Sequence, residues 1–137
     1  DVVYLADCLS SRETLDKYQI GFVYDVAAYL QTLEAVKAMS ARCFVPAHAP
    51  ACEDIAPLAQ YNLDKVAEIA EVILDLCREP LCFEALLRKL FARYDLAMNF
   101  EQYALVGSTV RSYLSWLKDT GRLSARFEDD LLLWQCL

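Results

Sequence analysis

The sequence predicts an α/β fold built on a single βαβ unit, followed by a mostly α tail. Three observations predict it. Two short apolar runs, Val2-Val3-Tyr4-Leu5-Ala6-Asp7 and Phe44-Val45-Pro46-Ala47-His48-Ala49-Pro50, flank a helical pattern long enough to carry the chain back across a sheet. A crossover of that kind pairs its strands in parallel. Past residue 80 the apolar spacing is helical, and it closes on a hairpin signature.

The first run is β-branched and apolar with little alternation, as in a strand covered on both faces. Ser10 and Glu13 have capping-box spacing for a short helix to about residue 17. An aromatic connection comes next, and Asp25 can cap the second helix. There Val26, Tyr29, Leu30, Leu33, Val36 and Met39 make one apolar stripe, ending near residue 40. Residues 42–45 read as the second strand, with Pro46 stopping it. Two strands and one helix do not bury a sheet, so neighbours are expected on its edges.

Residues 55–78 read as a long helix. Val66, Ile69, Ile73 and Leu76 line one face, and Asp64, Glu68, Glu71 and Asp75 form a solvated one. Glu79-Pro80 breaks it. Phe83, Leu86, Leu87, Leu90, Phe91 and Tyr94 make a second amphipathic helix. Asn99 and Gln102 start a third, with Val106, Val110, Tyr113, Leu114 and Leu117 on its stripe and Gly121 at its end. Two apolar runs around Glu128-Asp129-Asp130 complete a hairpin. Helix, helix, helix, hairpin is the order of a winged helix. The expected segments are an α/β part over 1–56, a connecting helix over 57–79 and a winged-helix-like part over 80–137.

Charge excludes some functions. Residues 1–79 hold 6 Lys/Arg and 13 Asp/Glu, and residues 80–137 hold 7 of each, so all of the net −7 lies in the first stretch. Neither stretch has the basic surplus that nucleic acid or an anionic membrane surface requires. The presumed recognition helix exposes only Arg111 and Lys118 as bases, and the wing tip is acidic. The six cysteines form no C-x-x-C pair and read as reduced thiols packed as small apolar residues, which points to the cytoplasm.

Two residues stand where chemistry could occur. Asp7 and His48, the only histidine, end the two runs, at the strand edge where α/β sheets bind ligands. Taken alone, each is more often a cap or loop group. Matched strand ends about forty residues apart make them candidate metal ligands.

The words around them resemble the metallo-β-lactamase superfamily. Its strand ending in Gly-Asp or Ala-Asp is written here Ala6-Asp7, and its Pro-Gly-His-Gly is written Pro46-Ala47-His48-Ala49. The segment Ile20-Gly21-Phe22-Val23-Tyr24-Asp25 resembles the stretch after the bridging Asp in members with a winged-helix tail. By that resemblance Asp7 would bridge two divalent metal ions, zinc foremost, and His48 would hold the second ion. Both glycines of the His motif are alanines here, so the loop around His48 is expected to depart from the family geometry. The family's His-x-His-x-Asp-His motif does not occur in the sequence.

The resulting expectation is a fragment of a metal-dependent hydrolase for esters, thioesters, lactams or phosphodiesters. No catalytic residue is assigned in this chain, which on its own is expected to be inactive and to bind no metal tightly. Its expected partners are the N-terminal half of the parent domain and a second copy of itself. The alternative is a non-enzymatic winged-helix interaction module with an α/β lead-in.

Overall fold

The computed structural model describes all 137 residues. In order, the elements are β1 (Val2–Ser10), α1 (Arg12–Tyr18), α2 (Val26–Lys37), β2 (Cys43–His48) and α3 (Ala56–Leu76). After these come β3 (Leu81–Cys82), α4 (Phe83–Arg93), α5 (Phe100–Asp119), β4 (Leu123–Glu128) and β5 (Leu131–Cys136). The chain forms two compact units. One comprises Asp1–Gln19 and Ala27–Ala67, the other Ile20–Val26 and Glu68–Leu137, and their division falls inside α3.

In the first unit β1 and β2 pair in parallel, as the crossover pattern requires. Pairing starts at Val2 opposite Cys43 and runs regularly to Tyr4 opposite Val45. It then shifts, so that Ala6 faces Pro46 and Ser10 faces His48. The other edge of β2 is closed by one bridge, in which Phe44 and Cys52 exchange backbone hydrogen bonds of 2.7 and 3.0 Å. Leu5, Leu9, Leu33, Val36, Phe44, Ile55, Ala59 and Leu63 form the core beneath the sheet.

Several local expectations are corrected. The strand β1 is not covered on both faces: Leu5 and Leu9 are buried, whereas Tyr4 is 79% exposed. Pro46 lies inside β2 instead of ending it. It sits at the register shift, where a residue without an N–H is tolerated. The cap of α1 is Ser11, whose hydroxyl accepts from the Thr14 N–H at 3.1 Å. Ser10 is not free to cap, because it is the last residue of β1 and its backbone is held by Asn62. The helix α2 stops at Lys37, which leaves Met39 outside it and 45% exposed.

The second unit keeps closely to the predicted order. The apolar face of α4 buries Phe83, Leu86, Leu87, Leu90 and Phe91. The Asn99 side chain caps α5 by accepting from the Gln102 N–H at 2.8 Å. That helix buries Val106, Val110, Tyr113, Leu114 and Leu117. At its end Gly121 takes φ +75° and Arg122 N–H reaches back to Leu117 O at 2.8 Å, an exit that glycine favours. Asp129 and Asp130 both have positive φ, as a tight two-residue hairpin turn demands. The short strand β3 adds itself to the hairpin, giving an antiparallel sheet in the order β3-β5-β4.

Residues 20–26 pack in this second unit. Buried Thr109 on α5 accepts the Val23 N–H at 3.0 Å and donates to Gly21 O at 3.1 Å, and Ser112 accepts the Val26 N–H at 3.1 Å. A connection that forms no ladder thus has its backbone groups satisfied by side chains.

Candidate functional site

Asp7 and His48 meet at one end of the sheet, with His48 Nε2 3.0 Å from Asp7 Oδ1. His48 closes β2, but Asp7 does not close β1 as the first run suggested: the strand continues to Ser10, which is the residue paired with His48. Both side chains face solvent, the aspartate 81% and the histidine 59% exposed. Simple alternation along β1 would turn Asp7 inward with Leu5 and Leu9. The strand avoids this at Ala6, which takes φ +46°, a region an L-residue seldom enters. The register shifts on either side of Ala6, so β1 accommodates extra residues relative to β2. Irregularities of this kind re-aim side chains, and here Asp7 is turned out while Cys8 packs on the core.

The backbone beneath the pair is held firmly. His48 O accepts the Ser11 N–H at 3.1 Å, which ties the end of β2 to the start of α1. Asn62 of α3, only 1% exposed, ties down the end of β1. Its Oδ1 accepts from Ser10 N at 3.0 Å and Tyr29 Oη at 3.1 Å. Its Nδ2 donates to Ser10 O and Leu58 O, each at 2.9 Å. Sequence reasoning missed Asn62. The signal was present: a polar amide stands between Ala59 and Val66 on the apolar side of an amphipathic helix.

Ala47 and Ala49 both keep to the φ range open to any residue, so the segment around His48 does not call on glycine's freedom. Nearby thiols do not join the pair. Burial pushes the Cys8 and Cys52 thiols up, and neither completes a group of three possible metal ligands with the pair. Burial also pushes the Tyr29 hydroxyl up to about 12, so it remains a neutral donor to Asn62.

Two solved structures share this arrangement of elements. A beta-lactamase domain protein from Burkholderia ambifaria matches 99% of this chain with a TM-score of 0.78 at 14% identity. A metallo-beta-lactamase family protein from Thermus thermophilus also matches 99% of it, with a TM-score of 0.70 at 16% identity. The fold is part of a metallo-β-lactamase fold. The chain spans only 41% and 42% of the lengths of those two proteins. No family model matches the sequence, and no curated protein does.

Asp7 and His48 do not amount to a metal centre within this part of the metallo-β-lactamase fold. A catalytic zinc takes three protein ligands, and no group of three His, Cys, Asp or Glu side chains here could hold an ion. Donors about 2.0–2.1 Å from a tetrahedral ion stand roughly 3.3 Å apart. The observed 3.0 Å is a direct contact that an ion would only slightly widen. The pair is a direct N···O contact of ordinary hydrogen-bond length, with no third donor beside it.

Proposed function

We propose that this chain is the C-terminal part of a metal-dependent hydrolase, with Asp7 and His48 forming half of a split two-ion site. One observation carries the reading: the 3.0 Å approach of these two side chains across neighbouring parallel strands, in a chain that shares its fold with metallo-β-lactamase proteins. In this reading Asp7 bridges two divalent ions, zinc foremost, and His48 holds the second. The missing ligands come from an N-terminal half, the partner that the two-stranded sheet lacks on the free edge of β1. The reaction class is metal-assisted hydrolysis of an ester, thioester, lactam or phosphodiester. The free cysteines favour the reducing cytoplasm as its compartment. No helix is long and apolar enough to cross a membrane.

The test is expression of the gene product extended upstream of Asp1, assayed for bound metal and for turnover of generic esters and thioesters. The reading expects both, and expects neither from the 137-residue chain alone. Stoichiometric zinc and turnover from the isolated chain would refute it.

A second reading rests on the other unit. The order α3-β3-α4-α5-β4-β5 around a three-stranded antiparallel sheet is winged-helix-like and supports an interaction module. Its partner would be protein, because the hairpin tip carries Glu128, Asp129 and Asp130 and the start of α5 is apolar. Filter binding with duplex DNA and RNA at low salt checks this. Measurable affinity with a steep salt slope would reverse the choice of partner.

A further inference from the structure

Two thiols of the second unit, Cys77 and Cys136, are backbone neighbours and take no part in the candidate metal site. Cys77 extends the last turn of α3, its N–H donating to Ile73 O at 3.0 Å. Cys136 is the last residue of β5. The Cys136 N–H donates to Cys77 O at 2.8 Å, so the end of the strand is bonded directly to the end of the helix. A bond of this kind holds the two Cα atoms roughly 5–6 Å apart, as between hydrogen-bonded partners on adjacent strands. Disulfides bridge Cα separations of about 4.4–6.8 Å.

The two side chains also lie on one side. Cys136 pairs with Leu123, and paired residues project from the same face of a sheet. Leu123 is buried, so this face is turned to the core, where Cys77 is fully buried. The thiols sense each other: burial first, and then Cys136, push Cys77 up to about 11. Cys43 and Cys52 do not repeat this arrangement. Cys52 bridges to Phe44, and alternation along β2 puts the Cys43 side chain on the opposite face from that of Phe44. Solvent reaches one member of the pair, because Cys136 is only half-buried and forms part of the wall of a concavity of about 390 Å³.

We propose that Cys77 and Cys136 form a reversible disulfide, a redox-responsive staple between the end of α3 and the β4–β5 hairpin. The oxidant is a low-molecular-weight disulfide such as oxidised glutathione. The Cys136 thiolate attacks one of its sulfurs, breaks the S–S bond and releases one glutathione. Cys77, buried behind, then attacks the Cys136 sulfur of the mixed disulfide and releases the second. Two protein thiols are oxidised to one disulfide, one glutathione disulfide is reduced to two thiols, and each departing glutathione takes up one of the two protons. In a reducing compartment, disulfides are of this transient, sensing kind. The bond closes a loop that contains α4, α5 and β4, and it restricts the unfolded chain accordingly.

The full chain, both folded and in concentrated urea, is equilibrated in mixtures of reduced and oxidised glutathione. Free thiols are then alkylated, and disulfides are located by peptide mass spectrometry. A single Cys77–Cys136 bond is expected, favoured at least about tenfold in the folded chain over the unfolded one, and the oxidised chain should unfold at a higher urea midpoint than the reduced chain. Cys136→Ser should abolish the bond. Cys82→Ser, at the half-buried residue before α4 in the same unit, should leave it unchanged. Glutathione that stays on Cys136 without closure onto Cys77 overturns the proposal. So does equal bond formation in folded and unfolded chains. A lower urea midpoint on oxidation would show that the bond opposes the fold, and overturns it as well.

Discussion

His48 Nε2 stands 3.0 Å from Asp7 Oδ1, across two parallel strands whose register slips just before the contact. Both groups are mostly exposed. Solvent-exposed pairs contribute roughly 0.2–1 kcal/mol. Asp7→Ala and His48→Ala should therefore each lower stability by less than about 1 kcal/mol in urea unfolding. A loss well above that would make the pair a structural clasp and remove the reason to read it as half of a site.

Asn62 behaves oppositely. It is buried and joins Ser10, Leu58 and Tyr29 through four hydrogen bonds. Asn62→Leu keeps the volume but strands the Ser10 backbone groups, and a buried unsatisfied group costs about 1–3 kcal/mol. A destabilisation of at least that size is expected by urea unfolding. A neutral result would show that the end of β1 is held by something else.

Thr109→Val tests how residues 20–26 are held. The hydroxyl serves Val23 N–H and Gly21 O at once, and Thr109 is fully buried. Its removal should cost about 1–3 kcal/mol. Amide hydrogen exchange at Val23 should rise with it, and unchanged protection there would contradict the assignment.

Alkaline stability depends on Cys77. Burial, with a smaller effect from Cys136, pushes this thiol up from 9.0 to about 11. Folding raises the pKa of an acid here, so its contribution is fully present below pH 9 and is lost as pH rises through 11. Urea midpoints should fall across that window, and Cys77→Val should flatten the fall. An unchanged slope in the variant would assign the loss to other groups.

Much of this molecule could be read from its residues, for identifiable reasons. The helices α4 and α5 were legible because their apolar spacing, the Asn99 cap and the Gly121 exit all agree. The parallel pairing of β1 and β2 was legible because two apolar runs around a helix leave few other topologies. The two-residue strand β3 was not, since its pairing with β5 depends on tertiary contact rather than on any local pattern. Nor was the placing of residues 20–26, whose backbone partners lie 86 to 88 positions away on α5. At the site, the approach of Asp7 to His48 was implied by strand order. The outward turn of Asp7 was not, because it depends on Ala6 adopting φ +46°, which no alanine announces. Asn62 was overlooked because a single amide within an apolar stripe reads as noise until its partners are in place.

The most direct test is metal content by native mass spectrometry on the gene product extended upstream of Asp1, compared with its Asp7→Ala and His48→Ala variants. The account predicts two divalent ions in the extended protein, loss of at least one in each variant, and none in the 137-residue chain. Metal retained in full by both variants would contradict it.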